Sequence, residues 1–342
     1  LQKLDQLTYL SLQGSRIPSA SVSELRQRLP ACVIDFPISP LLLALETSKG
    51  KLPEALRELG SVKTDTQGAV TAVSIHDIDI TDADLPLLAR LPALEELSLL
   101  GTQVTGGGLG ELAACTKLTV LNLARNPLDP AEVRGLSKLG QLKVLGLRET
   151  GLSDSGLTQI ADLTNLLTLQ LSNNPITDEA LQAIGPLRRL TLLHVLGTKV
   201  TLAGSLAAVA QSPSLVINCS DGQVGGSTIT LNQAADPGVT TLIGRFRKLK
   251  RLEFSDTPLS KDHMLPLLRL LDLRVLGLHS SELAGTGFSD LQVFTNLVEL
   301  DLARTPLEDT HLPQLAGLSK LNTLVLDDTK ITNTGLNQLS AL

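Results

Sequence analysis

Short apolar alternations recur along this chain at a fixed interval. Written in rows of 24 residues from Leu94, four consecutive segments align without a gap: LEELSLLGTQVTGGGLGELAACTK, LTVLNLARNPLDPAEVRGLSKLGQ, LKVLGLRETGLSDSGLTQIADLTN and LLTLQLSNNPITDEALQAIGPLRR. Each row opens on an LxxLxL pattern, whose period of two predicts a short strand with one buried face, for example at Leu145 and Leu147. The pattern therefore predicts a protein built from repeated units.

The rest of each row predicts a turn and a short helix. One column holds short polar residues that can hydrogen-bond turn backbone, namely Thr102, Asn126, Thr150, Asn174, Thr198, Thr257, Ser281, Thr305 and Thr329. A Ser, Thr or Asp then precedes apolar residues at helical spacing, as Ser153 precedes Leu157 and Ile160. The register also covers rows that begin at Val70, Leu190, Ser214, Leu249, Leu273, Leu297 and Leu321. One unit is too small to bury its own apolar stripe, so we expect stability to come from stacking of neighbours.

The consensus LxxLxLxxTxITDxGLxxLxxL resembles the leucine-rich repeat family, in the form common in bacterial proteins, over roughly four-fifths of the chain. The resemblance implies an α/β fold, a curved leucine-rich repeat solenoid with parallel strands on the concave face and short helices on the convex face. It also implies a function, because proteins of this family generally bind other proteins on the concave face.

Two interruptions of the repeat define the predicted domain organisation. The predicted segments are the end of an array at 1–36, a helical linker and capping hairpin at 37–69, an array at 70–220, an irregular break with a hairpin turn and partial repeat at 221–248, and an array at 249–342. In the second break, Asp221-Gly222 is a strong hairpin signal. Leu1 and Leu4 enter the pattern midway and Leu342 leaves it midway, which predicts either a fragment of a larger protein or ends that pack against another chain.

Composition narrows the choice of partners. Apolar residues make up 42% of the 342 residues and aromatic residues only 2%, so the predicted core consists of aliphatic layers. A net charge of −6 disfavours the phosphate-binding surface that nucleic acids require. The longest apolar run, Leu41 to Leu45, is far shorter than the roughly 20 residues of a membrane span, so no membrane insertion is expected. Nothing in the sequence indicates a cellular compartment.

The segment GTQVTGGGLG is the main hint of enzyme chemistry, because a glycine-rich loop between a strand and a helix can hold phosphate. Its glycines at 106, 107 and 108 occupy the turn-to-helix positions of the repeat, and no Lys-Ser or Lys-Thr follows them. We interpret the loop as part of the repeat and predict no cofactor. The cysteines at 32, 115 and 219 lack metal-ligand spacing and are interpreted as small core residues.

Acidic residues cluster in HDIDITDADL. Oxygen-rich loops of this kind can bind calcium, and the candidate ligands are Asp77, Asp79 and Asp82. The spacing of an EF-hand, its central glycine and its final glutamate are missing. A solvated turn with Asp82 as a helix cap is therefore the preferred interpretation, and calcium is the alternative.

No pattern of catalytic residues emerges from the sequence. The five histidines lie in neither a nucleophile-elbow nor an HExxH arrangement. His194 lies on an open strand face beside Gln170 and Asn218, without a serine or cysteine nucleophile that has an acid partner. We therefore predict that the chain is not an enzyme. The basic segment RFRKLKR is interpreted as a solvated convex face, with contact to an acidic partner or phosphate as the alternative.

The outward strand positions form the candidate partner-binding surface. They are mixed in the array at 70–220 and more acidic in the last array, which favours a basic partner there. The candidate residues are Val120, Val144, Arg148, Gln170, Leu192, His194, Leu196, Val216, Asn218, Glu253, Glu299, Asp301 and Asp327. We predict a non-catalytic scaffold that binds a protein partner through the concave face. The alternatives are a structural spacer or assembly module of a larger polypeptide, which the scarcity of aromatic residues favours, and a unit whose active domain lies outside this segment.

Overall fold

The computed structural model describes residues 7–12, 25, 28–35, 39–232, 236–283 and 287–339. The terminal leucines Leu1, Leu4 and Leu342, and Phe36 in the predicted first array, lie outside these ranges.

By its contacts the chain divides into two compact units. One comprises Leu1–Ile176 and Ala183–Arg189, and the other comprises Thr177–Gln182 and Leu190–Leu342.

The first unit contains two groups of strands. These are β1 Tyr9–Ser11, β2 Val33–Asp35, β3 Ser61–Thr64, β4 Val70–His76, β5 Glu96–Leu100, β6 Val120–Asn122, β7 Val144–Gly146 and β8 Thr168–Gln170. β1 and β2 pair in parallel. β3 pairs antiparallel with β4, and the strands from β4 to β8 are parallel and follow chain order. The antiparallel β3 therefore covers the edge at which the parallel series begins.

The second unit has the same strand pattern, interrupted by one hairpin. Its strands are β9 Leu192–His194, β10 Val216–Cys219, β11 Gly222–Gly225, β12 Thr228–Leu231, β13 Arg251–Ser255, β14 Val275–His279, β15 Glu299–Asp301 and β16 Thr323–Val325. β10, β11 and β12 pair antiparallel, whereas their neighbours pair in parallel. The turn between β10 and β11 is Ser220-Asp221, one residue before the predicted Asp221-Gly222, because Gly222 already pairs with Cys219 as the first residue of β11. Gly222 has a φ of 137° that favours glycine.

Short helices follow most strands. The α-helices are α1 Pro40–Thr47, α2 Leu52–Leu59, α3 Leu85–Leu88, α4 Asp154–Leu157, α5 Asp178–Ala183, α6 Leu202–Gln211, α7 Pro237–Ile243, α8 Lys261–Leu267, α9 Gly287–Asp290 and α10 Asn333–Gln338. Several repeats use a 3-10 helix, at Asp82–Asp84, Leu109–Ala114, Val133–Lys138, Thr158–Ile160, Leu291–Val293 and Asp309–Leu315. Among the described residues, no helix combines the length and apolar character needed to cross a bilayer.

The core consists of leucine layers in strand register. Leu97, Leu121, Leu145 and Leu169 are partners on β5 to β8, and each is at most 1% exposed. Burying a leucine side chain stabilises the fold by about 1.5 to 3 kcal/mol. Because the leucines of one repeat are covered by the repeats on either side, this stabilisation depends on both neighbours. The alternation predicted from LxxLxL is confirmed at these positions.

A buried polar ladder links adjacent turns beside this core. The amide nitrogen of Asn126 donates to the carbonyl oxygens of Leu99 at 2.6 Å and Leu123 at 3.0 Å. Its amide oxygen accepts from the hydroxyl of Thr102 at 2.7 Å and the backbone amide of Val104 at 3.0 Å. Asn126 is 1% exposed. The bonds to Leu99, Thr102 and Val104 cross between repeats. The polar residue at position 126 therefore links its own repeat to the preceding one.

The residue just before that polar column has left-handed backbone in ten repeats. These residues are Asp77, Gly101, Arg125, Glu149, Asn173, Gly197, Asp256, Ser280, Arg304 and Asp328, with φ between 52° and 66°. Left-handed backbone costs an L-residue about 1 to 2 kcal/mol, and glycine avoids most of this cost. The turn therefore stores strain in every repeat where glycine is absent.

We expect Ser280 to reveal this strain. In Ser280→Gly the relief of strain offsets the greater freedom of the unfolded chain, so the free energy of unfolding changes by less than about 0.5 kcal/mol. In Ser280→Val the β-branched side chain makes the φ of 53° costlier and removes about 2 kcal/mol. Urea unfolding followed by circular dichroism measures both changes. Equal losses in the two variants would contradict the assignment of strain to the backbone.

A buried carboxyl ties the helical segment to the first strand-turn-helix unit. Asp84 is fully buried, and it accepts hydrogen bonds from the hydroxyl of Ser39 and from the backbone amide and hydroxyl of Thr81. Ser39 is also the N-cap of α1, where its hydroxyl accepts from the amide of Leu41 at 3.1 Å. Burial raises the pKa of Asp84, although these hydrogen bonds oppose the rise.

The raised pKa of Asp84 predicts a specific pH dependence. A carboxyl with a raised folded-state pKa contributes stability below its unfolded pKa, and this contribution is lost as the pH rises through the folded pKa. Asp84→Asn removes the titration. We expect the variant to gain stability relative to the wild type as the pH rises above about 4, the ordinary pKa of an aspartate, whatever constant offset the substitution adds. Thermal unfolding across that range measures the difference, and parallel curves for the two proteins would refute this account.

Candidate partner-binding surface

All thirteen candidate residues lie at or just beyond the strands and are half-buried or exposed. Val120, Val144, Gln170, Leu192, His194, Val216, Asn218, Glu253, Glu299 and Asp301 are in strands, and Arg148, Leu196 and Asp327 follow strands. We call the side of the strands from which these side chains reach solvent the open strand face. The residues form three groups, one in the first unit and two in the second.

In the first unit, four candidates lie on neighbouring strands. Val120 and Val144 are register partners on β6 and β7, and Gln170 on β8 is the partner of Gly146. Arg148 forms an ion pair with Glu149 at 2.7 Å. This group is half apolar and half polar, and its one charge is already paired.

In the second unit, five candidates gather on β9 and β10. Leu192 is the register partner of Val216, and His194 is the partner of Asn218. The side-chain nitrogen of Asn218 lies 3.2 Å from His194 Nδ1, and Gln223 donates to the amide oxygen of Asn218 at 2.9 Å. Leu196 is 45% exposed. An exposed aliphatic surface therefore lies beside a hydrogen-bonded polar row whose side chains hold one another in place.

The acidic group of the second unit is partly neutralised. Glu253 and Glu299 both form ion pairs with Arg251, the latter at 3.7 Å. Asp301 accepts the backbone amide of Ala303 at 2.8 Å, whereas Asp327 is exposed. The register of β13, β14 and β15 aligns Arg251 with Glu299, so this surface carries less free negative charge than its sequence columns indicate.

The left-handed column adds a row of charges that the sequence analysis missed. Arg125 donates to Asp77 at 3.0 Å across the intervening repeat, where a side chain on Gly101 would overlap the Asp77 carboxylate. Arg304 pairs with Asp328 of the adjacent repeat at 3.3 Å. This signal was present in the sequence. The position just before the Thr/Asn column holds acidic residues in some repeats and basic residues in others, as an alignment of that position shows. Surface pairs of this kind contribute little stability, but they fix the orientation of the side chains at the rim of the open strand face.

The glycine-rich loop holds a carboxylate of the protein itself. Asp82 accepts from the backbone amide and hydroxyl of Thr105 at 2.7 and 2.8 Å, and from the amides of Gly106 and Gly108 at 3.0 and 2.8 Å. Gly106 has a φ of 121°, and a Cβ on Gly108 would lie 2.5 Å from the carbonyl oxygen of Asp82. The glycines are thus explained by the preceding repeat, whose carboxylate fills the position that a bound anion would take.

The same link recurs twice in the second unit. Asp178 accepts from the backbone amide and hydroxyl of Thr201, and Asp309 accepts from those of Thr332. The hydrogen bonds from Thr332 lower the pKa of Asp309, so the stability this carboxylate contributes is present above its unfolded pKa and lost as the pH falls through the lowered value. We call this link the aspartate-to-turn bridge.

The calcium hypothesis is not supported by these contacts. Asp77 pairs with Arg125, and Asp82 is occupied by the turn of the next repeat. Within the described ranges, no group of three or more acidic, histidine or cysteine side chains has a geometry that could hold a metal ion. The role of Asp82 is therefore structural, as the preferred sequence interpretation holds, although it caps the following repeat rather than its own.

Two histidines on the open strand face contact polar side chains. His76 Nε2 lies 2.6 Å from Ser74 Oγ and 3.3 Å from Ser98 Oγ, a pairing that the sequence analysis did not identify. A serine nucleophile also needs a carboxylate that orients the histidine. Asp77, the adjacent acid, pairs with Arg125 instead.

The two buried cysteines are also poor nucleophiles. Burial raises the pKa of the Cys115 and Cys219 thiols, which keeps them protonated.

The comparisons with known proteins agree with this architecture. A family model described as Leucine Rich repeat matches residues 114–131 and 162–185. One chain in the structure of the Toll–Spätzle complex of Drosophila is 18% identical to this protein, with a TM-score of 0.55. The match covers 75% of this chain and 35% of that one. An internalin of Listeria monocytogenes is 20% identical over 89% of this chain and 94% of that chain, with a TM-score of 0.45. No protein of curated function matches the sequence.

Together, the repeated strand-turn-helix unit and its buried leucine layers define an α/β repeat solenoid. The chain contains leucine-rich repeats and has the leucine-rich repeat fold, so the resemblance found in its sequence is confirmed, by the family match at residues 114–131 and 162–185 and by the fold shared with the Toll structure.

Proposed function

We propose that this protein is a non-catalytic recognition module that binds a protein partner on the open strand face of its second unit. Leucine-rich repeat folds commonly serve as protein-binding scaffolds. The observation that carries the proposal is the surface formed by Leu192, Leu196 and Val216 beside the row of His194 and Asn218.

The composition of this surface fits recognition. Leu196 is 45% exposed to solvent, and the register partners Leu192 and Val216 add aliphatic area beside it. The hydrogen bonds between His194, Asn218 and Gln223 fix the polar groups, so less conformational entropy is lost when a partner binds. Aliphatic anchors with a preorganised polar rim are the arrangement that protein interfaces use.

A structural spacer is the second candidate, and the paired charges favour it. Arg251 is engaged with two glutamates, and Arg148 is engaged with Glu149. Charges satisfied within the protein contribute less to attracting a partner. A spacer would tolerate substitutions on the open strand face.

The test compares three proteins in affinity capture from native lysate followed by mass spectrometry. They are the wild type, Leu192→Asp/Leu196→Asp, and the control Leu43→Asp/Leu336→Asp, which adds the same charge at two leucines that are 53% and 55% exposed on helices. Circular dichroism establishes that each variant is folded. A partner retained by the wild type and the control but lost from the first variant supports recognition.

A photo-crosslinker at position 196 then locates the contact. The captured partner should crosslink from position 196 and not from position 43. If all three proteins capture the same set, or none captures a partner, the recognition proposal fails on this surface and the spacer is favoured.

A further inference from the structure

The helix side of the second unit contains a basic cleft that the proposed function does not use. The cleft has a volume of about 620 Å³ between the end of α7 and α8. Three arginines line it, Arg245, Arg247 and Arg269. Arg245 and Arg269 are one repeat apart, 24 residues in sequence, so the periodicity of the fold places them on the same side of adjacent helical segments.

The arginines of the cleft are distinct from the other basic residues of this region. Lys250 forms an ion pair with Asp272, and Arg251 pairs with glutamates on the open strand face. Across the described residues, no carboxylate lies within ion-pair distance of Arg245, Arg247 or Arg269. Arg247 donates to the main-chain oxygen of Arg269 at 3.3 Å, which holds its guanidinium beside the next repeat. The cleft thus concentrates positive charge in a protein whose net charge is −6.

Local packing builds the shape of the cleft. A Cβ on Gly244 would lie 2.5 Å from the carbonyl oxygen of Pro266, so glycine permits the end of α7 to approach α8 closely. Leu265, which is 49% exposed, and Pro266 form an apolar wall next to the arginines. The volume lies within the range of about 300 to 1,000 Å³ that is typical of ligand sites.

We propose that this cleft binds a phosphorylated segment of a protein partner. A phosphate monoester carries about −1.5 to −2 charges at neutral pH, and the planar fork of arginine matches its oxygens with paired hydrogen bonds. The peptide chain beside the phosphate packs against Leu265 and Pro266. A concave site with an apolar wall fits an extended peptide better than the flat headgroup plane of a membrane. The site lies on the helix side, so it is independent of the open strand face.

The test measures fluorescence anisotropy of the whole chain with degenerate nine-residue peptide libraries that carry phosphoserine, serine or glutamate at the central position. We expect binding of the phosphoserine library only, weakened by added salt and displaced by inorganic phosphate. Arg245→Gln/Arg269→Gln should weaken binding about tenfold or more. The control Lys248→Gln/Arg274→Gln removes the same charge from exposed residues that do not line the cleft and should change affinity by less than about twofold.

Each other outcome overturns the proposal. Equal binding of the glutamate library would assign the cleft to acidic peptides in general. Binding to vesicles of phosphatidylcholine with phosphatidic acid, without binding to the phosphoserine library, would assign it to membranes. An equal loss in the cleft variant and the control would show that the net charge of the region acts without a defined site. Absence of binding to every probe would leave the arginines with no anionic ligand.

Discussion

Replacing Asn126 by alanine should remove about 3 to 5 kcal/mol from the free energy of unfolding, the largest loss we expect from a single substitution here. The side chain is 1% exposed and bonds to groups on both sides of a repeat boundary. Its removal leaves the carbonyl of Leu123 and the amide of Val104 buried without these partners. An unsatisfied buried polar group costs about 1 to 3 kcal/mol, and a small cavity adds to the loss.

A threonine at the same position should recover part of the loss. Thr150 donates to the carbonyl of Leu147, three residues before it, at 2.9 Å, and a threonine at position 126 has the equivalent acceptor in Leu123. It lacks the reach of the asparagine amide to the preceding repeat, so we expect Asn126→Thr to lose about half as much as Asn126→Ala. Asn122→Ala is the control, because Asn122 is half-buried and should lose less than about 1 kcal/mol.

Urea unfolding measures these differences, and hydrogen exchange locates them. The amide of Val104 donates to Asn126 Oδ1, so we expect it to exchange faster in Asn126→Ala and Asn126→Thr and unchanged in Asn122→Ala. Asn122 also bonds to the preceding repeat, through Ser98, but that bond is only partly buried. Equal losses in Asn126→Ala and Asn122→Ala would therefore contradict the larger stabilising role assigned to the buried bonds of Asn126.

Gly204→Ala should destabilise the protein by about 2 kcal/mol, although alanine ordinarily stabilises a helix. Gly204 lies in the first turn of α6, where a Cβ would overlap the carboxylate of Asp178. The alanine therefore displaces Asp178 from Thr201, whose backbone amide and hydroxyl donate to it at 2.8 and 2.7 Å. The loss of this aspartate-to-turn bridge outweighs the gain in helix propensity.

A double-mutant cycle separates the two effects. In the Asp178→Ala background the clash is absent, so Gly204→Ala should stabilise by up to about 1 kcal/mol. Ala203→Gly, at an exposed position of the same helix, calibrates the helical preference and should lose about 1 kcal/mol. The sign of the Gly204→Ala effect should reverse between the two backgrounds, as measured by urea unfolding. An unchanged sign would mean that the carboxylate does not determine the need for glycine.

The sequence predicts the parts of the fold that depend on one row of the repeat. The burial of Leu145 and the hydrogen bond from Thr102 to the carbonyl of Leu99 both follow from columns whose chemistry is visible in a single unit. The bonds between rows were not predicted. Asp82 and Thr105 are 23 residues apart, and only the stacked geometry shows that the acid of one repeat fills the turn of the next.

For the candidate surface, the sequence predicts which side chains reach solvent but not how they pair with one another. Solvent-facing columns follow from the strand period, so residues such as Leu196 could be selected from sequence. Pairing within the surface depends on register, and the engagement of Glu299 by Arg251 two strands away was not predicted. Arg269 was missed because it comes a full repeat after the basic segment it joins.

The aspartate-to-turn bridge gives the repeats a fixed order along the chain. Excision of the complete unit 94–117 would preserve the leucine register and place Asp82 against the unit that begins at Leu118. There Asp129 takes the position of Thr105 and Glu132 that of Gly108, so carboxylates would meet where donors are required. At the three boundaries that carry the bridge, units that look interchangeable by their leucines are therefore matched to a particular neighbour.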